Sequence, residues 1–401
     1  MREVVIAGYL RTPQSKSRLK DTARDWFHKL RADDLLAKLL PEVIKRTGIK
    51  ADEIDDFIVG SSIGVNEQWA YGGRTPIWLA NLPETIAAKF VDQQCGSSMA
   101  SIHIGFMEIA MGYADIVMVG GMEHMSRVPM DGPLLEKKGA VILNPRLFKD
   151  PAYKHWDMPT TTIMGLTAEK LFTQRKITKE EMDRWGTHSH QLASKAYKEG
   201  FFKDEILPIE AEQADGKILS VDRDQAVRDD ATLERVKDLK PAFKPDGVIT
   251  AGNSSPLNAA ASSMILMSKE TARKKGIQPM AALRSIGFAG VDPTIMGVGP
   301  VPASRKALEK VGLQVKDIDY WEINEAFAIV VLNCIKELGI NPDRVNVMGG
   351  GTAIGHALGA TGIRLVGTLA RILKVKGGRY GLANACVGGG QGVATIIERE
   401  P

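Results

Sequence analysis

Cys95, Cys386 and His356 have the residue types and surroundings to carry covalent chemistry in this chain. Cys95 closes a short apolar run, Val91-Asp-Gln-Gln-Cys95-Gly-Ser-Ser98, and a largely apolar segment of helical length follows through Met111. The pattern predicts a strand, a tight turn and a buried helix, with Cys95 at the helix N-terminus. Unpaired backbone N–H groups and the positive end of the helix dipole there favour thiolate over thiol. The small residues behind it let a substrate approach the backbone. Cys386 ends a second apolar run and opens Val-Gly-Gly-Gly390-Gln-Gly392, a turn whose N–H groups suit an anion. His356 sits in Gly349-Gly-Gly-Thr-Ala-Ile-Gly-His356-Ala-Leu-Gly359, a glycine-rich loop that packs little and shapes a cavity. Asn324 opens Asn324-Glu-Ala-Phe-Ala328 directly after an apolar run, where its amide can hold a water or cap the next helix. Thr250-Ala-Gly-Asn-Ser-Ser255 is another small-residue turn. A cysteine becomes a working nucleophile when a base, an oxyanion site and a second proton carrier accompany it. These stretches hold residue types for all three.

The elements that must position them alternate. Val4–Ala7 reads as a strand, 33–46 as a helix stopped at Thr47-Gly48, and Ile54–Gly60 as a strand. Asn81–Lys89 reads as a helix, Phe90–Gln94 as the strand feeding Cys95, and 114–121 as a strand buried on both faces. This predicts a mostly parallel α/β layer. Residues 122–245 differ in texture, with Pro129, Pro133, Pro145, Pro151 and Pro159, many charges and scattered helices. The clearest helix there starts at the capping box Thr178-Lys-Glu-Glu181. Ile318–Asn324 matches Ile54–Gly60 at an offset of 264, and Gly378–Gly388 echoes Gly112–Gly121 at 266. The same offset carries Cys95 into the His356 loop. Two similar halves follow, 1–121 plus 246–278 and 279–401, with 122–245 inserted as a lid.

Composition narrows the class. The 52 Lys+Arg against 48 Asp+Glu leave +4, without the basic bias of a nucleic-acid binder. Three widely spaced cysteines exclude a disulfide framework and a CxxC knuckle, and point to a reducing compartment. No H-E-x-x-H, P-loop or dinucleotide fingerprint occurs in context, so neither a metal nor a nucleotide cofactor is expected. No stretch reaches the apolar length of a membrane span. The opening runs straight into a strand pattern and the closing Glu-Arg-Glu-Pro is no peroxisomal address, so the expected location is cytoplasmic. His28, His155, His188 and His190 fall in charged, loop-like or helical surface context and read as structural.

Cys95-Gly-Ser-Ser, Asn324-Glu-Ala-Phe, Gly355-His356 and Cys386-Val-Gly-Gly-Gly-Gln-Gly, in this order and spacing, resemble the thiolase family across the whole chain. Cys-Gly-Ser-Ser-Met99, Met164-Gly-Leu-Thr-Ala-Glu169 and 292–304 lean towards its degradative 3-ketoacyl-CoA members. The resemblance implies an α/β fold of duplicated βαβαβαββ halves stacked αβαβα, with a loop domain over the site. It also implies thiolytic cleavage of 3-ketoacyl-CoA through a Cys95 acyl-enzyme, with His356 as base and Cys386 as the second proton carrier. One oxyanion site would be His356 with a water on Asn324, the other the backbone N–H of Cys95 and Gly388. Ser255 and Ala251 would lie near the pantetheine arm, Arg228 near the adenine-phosphate end, and Met164 and Phe327 along the acyl pocket. CoA is then a substrate, with no cofactor. A homodimer or homotetramer is implied, and some degradative members associate with a hydratase–dehydrogenase partner.

Some positions depart from the family pattern. Met348-Gly-Gly-Gly-Thr352, Ala357 and Asn258-Ala-Ala-Ala replace Asn-Gly-Gly-Ala, proline and Asn-Asp-Gly-Ala. Ile163 stands where many acetoacetyl-specific members have histidine, and the insert 133–158 has no match. The alternatives are an acetoacetyl-CoA-specific acetyltransferase, a ketoacyl-synthase-type condensing enzyme, which would lack Cys386, and a non-catalytic acyl-CoA-binding scaffold.

Overall fold

The β-branched run near the N-terminus forms β1 (Val4–Arg11), the middle strand of a ten-stranded sheet. The computed structural model describes residues 1–128 and 143–400; Pro129, Pro133 and the first part of the 133–158 insert lie outside the described residues. On one side of β1 follow β5 (Asn258–Ser268), β4 (Ile116–His124), β2 (Asp56–Gly60) and β3 (Ala87–Val91). On the other follow β6 (Ala281–Gly290), β9 (Gln391–Arg399), β8 (Tyr380–Val387) and β7 (Tyr320–Ile323). A two-residue strand, Ser15–Lys16, pairs with the start of β5.

The order is palindromic about the antiparallel β1/β6 pair. In the first half β2 runs parallel to β3 and β4, while β4/β5 and β5/β1 are antiparallel. In the second, β7/β8 is parallel and β8/β9 and β9/β6 are antiparallel. With α1 (Ala32–Thr47), a short helix Arg74–Leu79 and α2 (Ser97–Ala110), the first half reads βαβαβαββ. The second repeats it with α5 (Pro300–Val311), α6 (Ala328–Leu338) and α7 (Leu358–Lys376), its third strand reduced to the parallel bridge Trp321–Val345. The segments matched at offsets 264 and 266 are β2 with β7 and β4 with β8, which hold equivalent places.

Two expectations are corrected. The sheet is mixed, because each half closes on antiparallel strands: β8 returns to β9 through a short turn that permits only an antiparallel pair, and β4 returns to β5 antiparallel after the inserted region. Residues 81–89 are not a helix: it ends at Leu79, Asn81 takes φ 51, and Ala87–Val91 pairs with β2. A left-handed Asn and Pro83 stop the helix.

The core is layered. Leu35, Leu36, Leu39, Leu40 and Val43 of α1 pack on one outer face with Phe57, Met118 and Ile265. α2 and α7 lie together between the halves, with Met99, Ile102, Ile363, Val366 and Leu369 in one cluster with Val117, Leu266, Ala385 and Val393. α5 and α6 cover the other outer face around Trp321 and Ile396. These are the five αβαβα layers, and the central one carries both the Cys95 and the His356 corner.

Between β4 and β5 lie α3 (Met164–Thr173), the 20-residue α4 (Lys179–Lys198) and a hairpin, Ile209–Glu212 with Ile218–Val221. The capping box is formed: Thr178 Oγ1 accepts the Glu181 N–H at 3.1 Å, and Glu181 Oε2 accepts the Thr178 N–H at 2.6 Å. Arg11, at the end of β1, fixes this region to the sheet. Its buried guanidinium donates to Glu205 at 2.7 Å and to both oxygens of Asp224 at 2.8 and 3.0 Å.

Candidate active site

The Cys95 corner is built by its neighbours. Asp92 Oδ1 accepts the Gln94 N–H at 2.9 Å, and Ser97 Oγ accepts the Gln93 N–H at 2.9 Å while donating to Gln94 O at 2.6 Å. Gln94 is thereby held at φ 48, a sparsely populated region for a side-chain-bearing residue, and α2 begins at once. Cys95 is 5 % exposed, packed on Met125 and Leu358. Burial pushes its thiol up to about 11, against the Gly388 N–H and its own, which face the sulfur. The expected standing thiolate is thus corrected: in this enclosed corner desolvation outweighs the helix start. Cys386, at the end of β8, is fully buried and also raised well above an ordinary thiol, first by burial and then by Cys95. The two sulfurs are therefore in electrostatic reach of each other.

His356 precedes α7. Its backbone N–H donates to Asn258 Oδ1 at 2.9 Å, and the Ala357 N–H donates to Gln14 Oε1 at 3.2 Å, so the loop is pinned from the first half of the chain. The ring tautomer follows from a proton count. Thr361 Oγ1 spends its one proton on Ala357 O at 2.8 Å, so it accepts at 2.7 Å from His356 Nδ1–H. Nε2 is left as the lone-pair nitrogen, and the Asn324 amide donates to it at 3.2 Å. Burial, then Arg364, drops the imidazole to about 3, so the ring is neutral.

Asn324 is fully buried after β7, and its Oδ1 has no hydrogen-bond partner among the described residues. The adjacent Glu325 is fully engaged: Trp185 Nε1 at 2.9 Å, Ser189 Oγ at 2.7 Å, Asn346 Nδ2 at 2.7 Å and the Thr352 N–H at 3.0 Å. It fastens α4 to the glycine loop before His356.

The other expected residues take several places. A Cβ on Gly388 would stand 3.5 Å from Met164 Sδ and 3.6 Å from Gln94 Cγ, so this glycine separates the Cys95 turn from α3. Phe327 is buried in one cluster with Cys386 and stacks edge-on against Phe243 at 6.0 Å. Ser255 is half-buried, its hydroxyl donating to Ala326 O at 3.2 Å, and Ala251 is exposed in the same turn. Arg228 stands apart from these, exposed; among the described residues its main-chain N–H is engaged, to His190 Nδ1 at 3.3 Å, and its guanidinium makes no ion pair. His190 is not the surface residue expected; it is buried and lowered to about 4, by burial first. Among the described residues no group of three His, Cys, Asp or Glu could hold a metal.

Sequence reasoning missed Thr361, Asn258 and Gln14 as the groups that hold His356, and the buried His103 and His124. It also missed Glu123, which accepts the Gly359 N–H at 2.8 Å and the Ser62 Oγ–H at 2.9 Å and is pushed up by burial to about 8. The i+5 threonine after His356 was the one local signal; the rest come from distant segments.

Residues 4–270 match the family model for the thiolase N-terminal domain and 277–399 that for the thiolase C-terminal domain. The chain is 40% identical over 403 residues to a 3-ketoacyl-CoA thiolase of Marinobacter nauticus, covering 99% of this chain and 98% of the relative. It is 42% identical over 401 residues to one from Acinetobacter baumannii, covering 99% and 98%. Among solved structures, the Bacillus anthracis acetyl-CoA acetyltransferase superposes with a TM-score of 0.86 at 38% identity, covering 100% of this chain and 99% of that one. Human mitochondrial 3-ketoacyl-CoA thiolase in complex with CoA gives 0.86 at 32% identity, covering 100% and 98%. With two family domains spanning nearly all its length around this corner of two cysteines, a neutral histidine and an asparagine, the chain belongs to the thiolase family.

Proposed function

We propose that the protein is an acyltransferase that cleaves 3-ketoacyl-CoA with CoA through a Cys95 acyl-enzyme. The observation that carries this is the His356–Asn324–Thr361 arrangement, which leaves a neutral imidazole with its Nε2 lone pair toward the Asn324 amide. Because burial holds Cys95 as thiol and His356 neutral, proton transfer accompanies attack. As Sγ bonds to the 3-carbonyl carbon, its proton passes to Nε2. The C2–C3 bond then breaks, its electron pair going to the acetyl-CoA enolate, which takes a proton at C2 from Cys386. The CoA thiol attacks the acyl-cysteine and returns a proton to Cys386, while Cys95 regains its own from His356. One oxyanion position is the N–H pair of Cys95 and Gly388; the other is His356 with a water on the unpaired Asn324 Oδ1.

Supporting features extend the reading. Ser255 and Ala251 line the pantetheine arm, Met164 and Phe327 the acyl end, and Arg228 meets the nucleotide. We read residues 1–121 plus 246–278 and 279–401 as the two catalytic halves, with 122–245 as the lid. A homodimer, alone or as half of a tetramer, fits β3, an edge strand among the described residues, and the exposed aromatic group Trp69, Tyr71 and Trp78. Three unpaired cysteines fit the cytoplasm, and fatty-acid β-oxidation, with or without a hydratase–dehydrogenase partner, is the role that suits cleavage.

The test is thiolysis followed by 3-ketoacyl-CoA absorbance, with four-carbon and ten-carbon substrates and Cys386→Ser alongside. Turnover of both, lost in the variant, is expected. Turnover of the four-carbon substrate alone moves the assignment to an acetoacetyl-CoA-specific acetyltransferase, the reading that the Bacillus anthracis neighbour favours. Silence on both rejects the enzyme assignment.

A further inference from the structure

A group of cations without counter-charge borders the His356 loop. Ser15 and Ser17 turn their hydroxyls to the buried Asp25, which also accepts from Ser126 and the Phe27 N–H. In an extended segment alternate side chains face opposite ways. Lys16 and Arg18 are therefore sent together to the other face. The segment is held there by Lys16 pairing with Asn258, by the Ser17 N–H on Leu257 O at 2.8 Å, and by the Arg18 N–H on Ser126 Oγ at 2.9 Å. Asn258 is the residue that fixes the His356 backbone, so this strand runs directly beside the catalytic loop.

The lid brings a third cation. Gln225 Oε1 accepts the Lys16 N–H at 2.7 Å and the Gln225 N–H donates to Gln14 O at 2.9 Å, which joins the segment carrying Arg228 to the strand. Among the described residues, the side chains of Lys16, Arg18 and Arg228 make no ion pair, and Arg18 Nε is a buried donor without an acceptor. Nearby carboxylates are engaged by other groups: Asp224 by Arg11, Asp229 by Arg223 and Ser194, Asp230 by Arg235, and Asp21, whose N–H donates to Arg18 O, by Arg24. The cations feel one another: burial and then Arg18 and Arg228 lower Lys16 to about 8. Like charges gathered without an acid form a site for a polyanion.

We propose that Lys16 and Arg18, together with Arg228, form the binding site for the phosphates of the CoA nucleotide end, so that the N-terminal strand and the lid hold the substrate jointly. This rests on the reading that CoA thioesters occupy the site. Neither Lys16 nor Arg18 was marked by the sequence motifs; their common face and their lack of an ion-pair partner among the described residues are tertiary facts.

The experiment is calorimetric binding of desulfo-CoA, at low and high salt, to the full chain and to Lys16→Met/Arg18→Gln, which keeps the buried stems. Loss of two charge-assisted contacts should raise Kd about tenfold and flatten its salt dependence. Lys16→Arg in the wild-type background should bind as the parent does, and pantetheine, which lacks the nucleotide, should compete equally against both proteins. Unchanged desulfo-CoA affinity in the double variant overturns the proposal, as does an equal loss for pantetheine or failure of the wild type to bind desulfo-CoA. Wild-type thiolysis is assayed in parallel: binding that depends on Lys16 and Arg18 without thiolysis supports this site and rejects the catalytic reading.

Discussion

At the scale of the residue, chemistry depends on which atom carries which proton. Thr361 sets this for His356 by taking the Nδ1 hydrogen, since its own proton is spent on Ala357 O. Thr361→Val removes that acceptor and releases the ring. The expected result is a kcat lower by roughly ten- to a hundredfold with KM little changed, and recovery in Thr361→Ser. Equal kinetics for the valine variant and the parent would show that the tautomer is set elsewhere. On the proposed mechanism, Cys95→Ser should abolish turnover while desulfo-CoA binding persists, because it removes the proposed nucleophile from a corner whose shape Asp92, Ser97 and Gln94 maintain. Loss of folding in that variant would instead make Cys95 structural.

At the scale of the element, close approaches hold the two corners in register. A Cβ on Gly362 of α7 would lie 2.2 Å from the Met99 backbone nitrogen of α2. Gly362→Ala must therefore part the two helices that begin just after Cys95 and just after His356. It should cost about 1–3 kcal/mol in urea denaturation and lower kcat as well, and normal activity at normal stability would refute the close fit. Arg11 plays the equivalent part between sheet and lid. Arg11→Met leaves Glu205 and Asp224 buried without their cation, which should destabilise by about 3–5 kcal/mol. A loss below about 1 kcal/mol would mean that Tyr197, Arg371 and local water suffice for those carboxylates.

At the scale of the whole molecule, buried ionisable groups set the response to pH. His103 and His356 are lowered to about 3, His190 to about 4, and His124 is lowered too, burial being the first cause in each. Below the ordinary value of 6.5 the unfolded chain binds protons that the fold refuses, so this contribution is complete above 6.5 and lost as pH falls towards 3–4. Glu123 and Glu322, raised by burial to about 8, work the other way: their contribution is complete below 4.5 and lost as pH rises to about 8. Between 4.5 and 6.5 the histidines outnumber the glutamates, and stability should fall on acidification with a slope of order 2 kcal/mol per pH unit. Calorimetric Tm measured from pH 6.5 to 5, where the histidine contribution dominates, checks this, and a flat or rising Tm over that interval would contradict it.

The sequence by itself determined the pieces whose signals are local. The strand–turn–helix at Cys95, the glycine loop of His356, the Asn324 position, the Thr178 capping box and the duplicated order of elements all depend on neighbours within a few residues or on a fixed offset. Only the tertiary structure decided the rest. The sheet is mixed because its closing strands pair across the chain, and 87–91 is a strand because β2 recruits it. Cys95 rests as a thiol because enclosure, which no local pattern encodes, outweighs the helix start. His356 owes its pinning to Gln14 and Asn258, and Lys16 and Arg18 their shared face to Asp25. Proton affinity and hydrogen-bond partnership are properties of surroundings, and here those surroundings are assembled from separate segments, as far apart in the chain as Gln14 and Ala357.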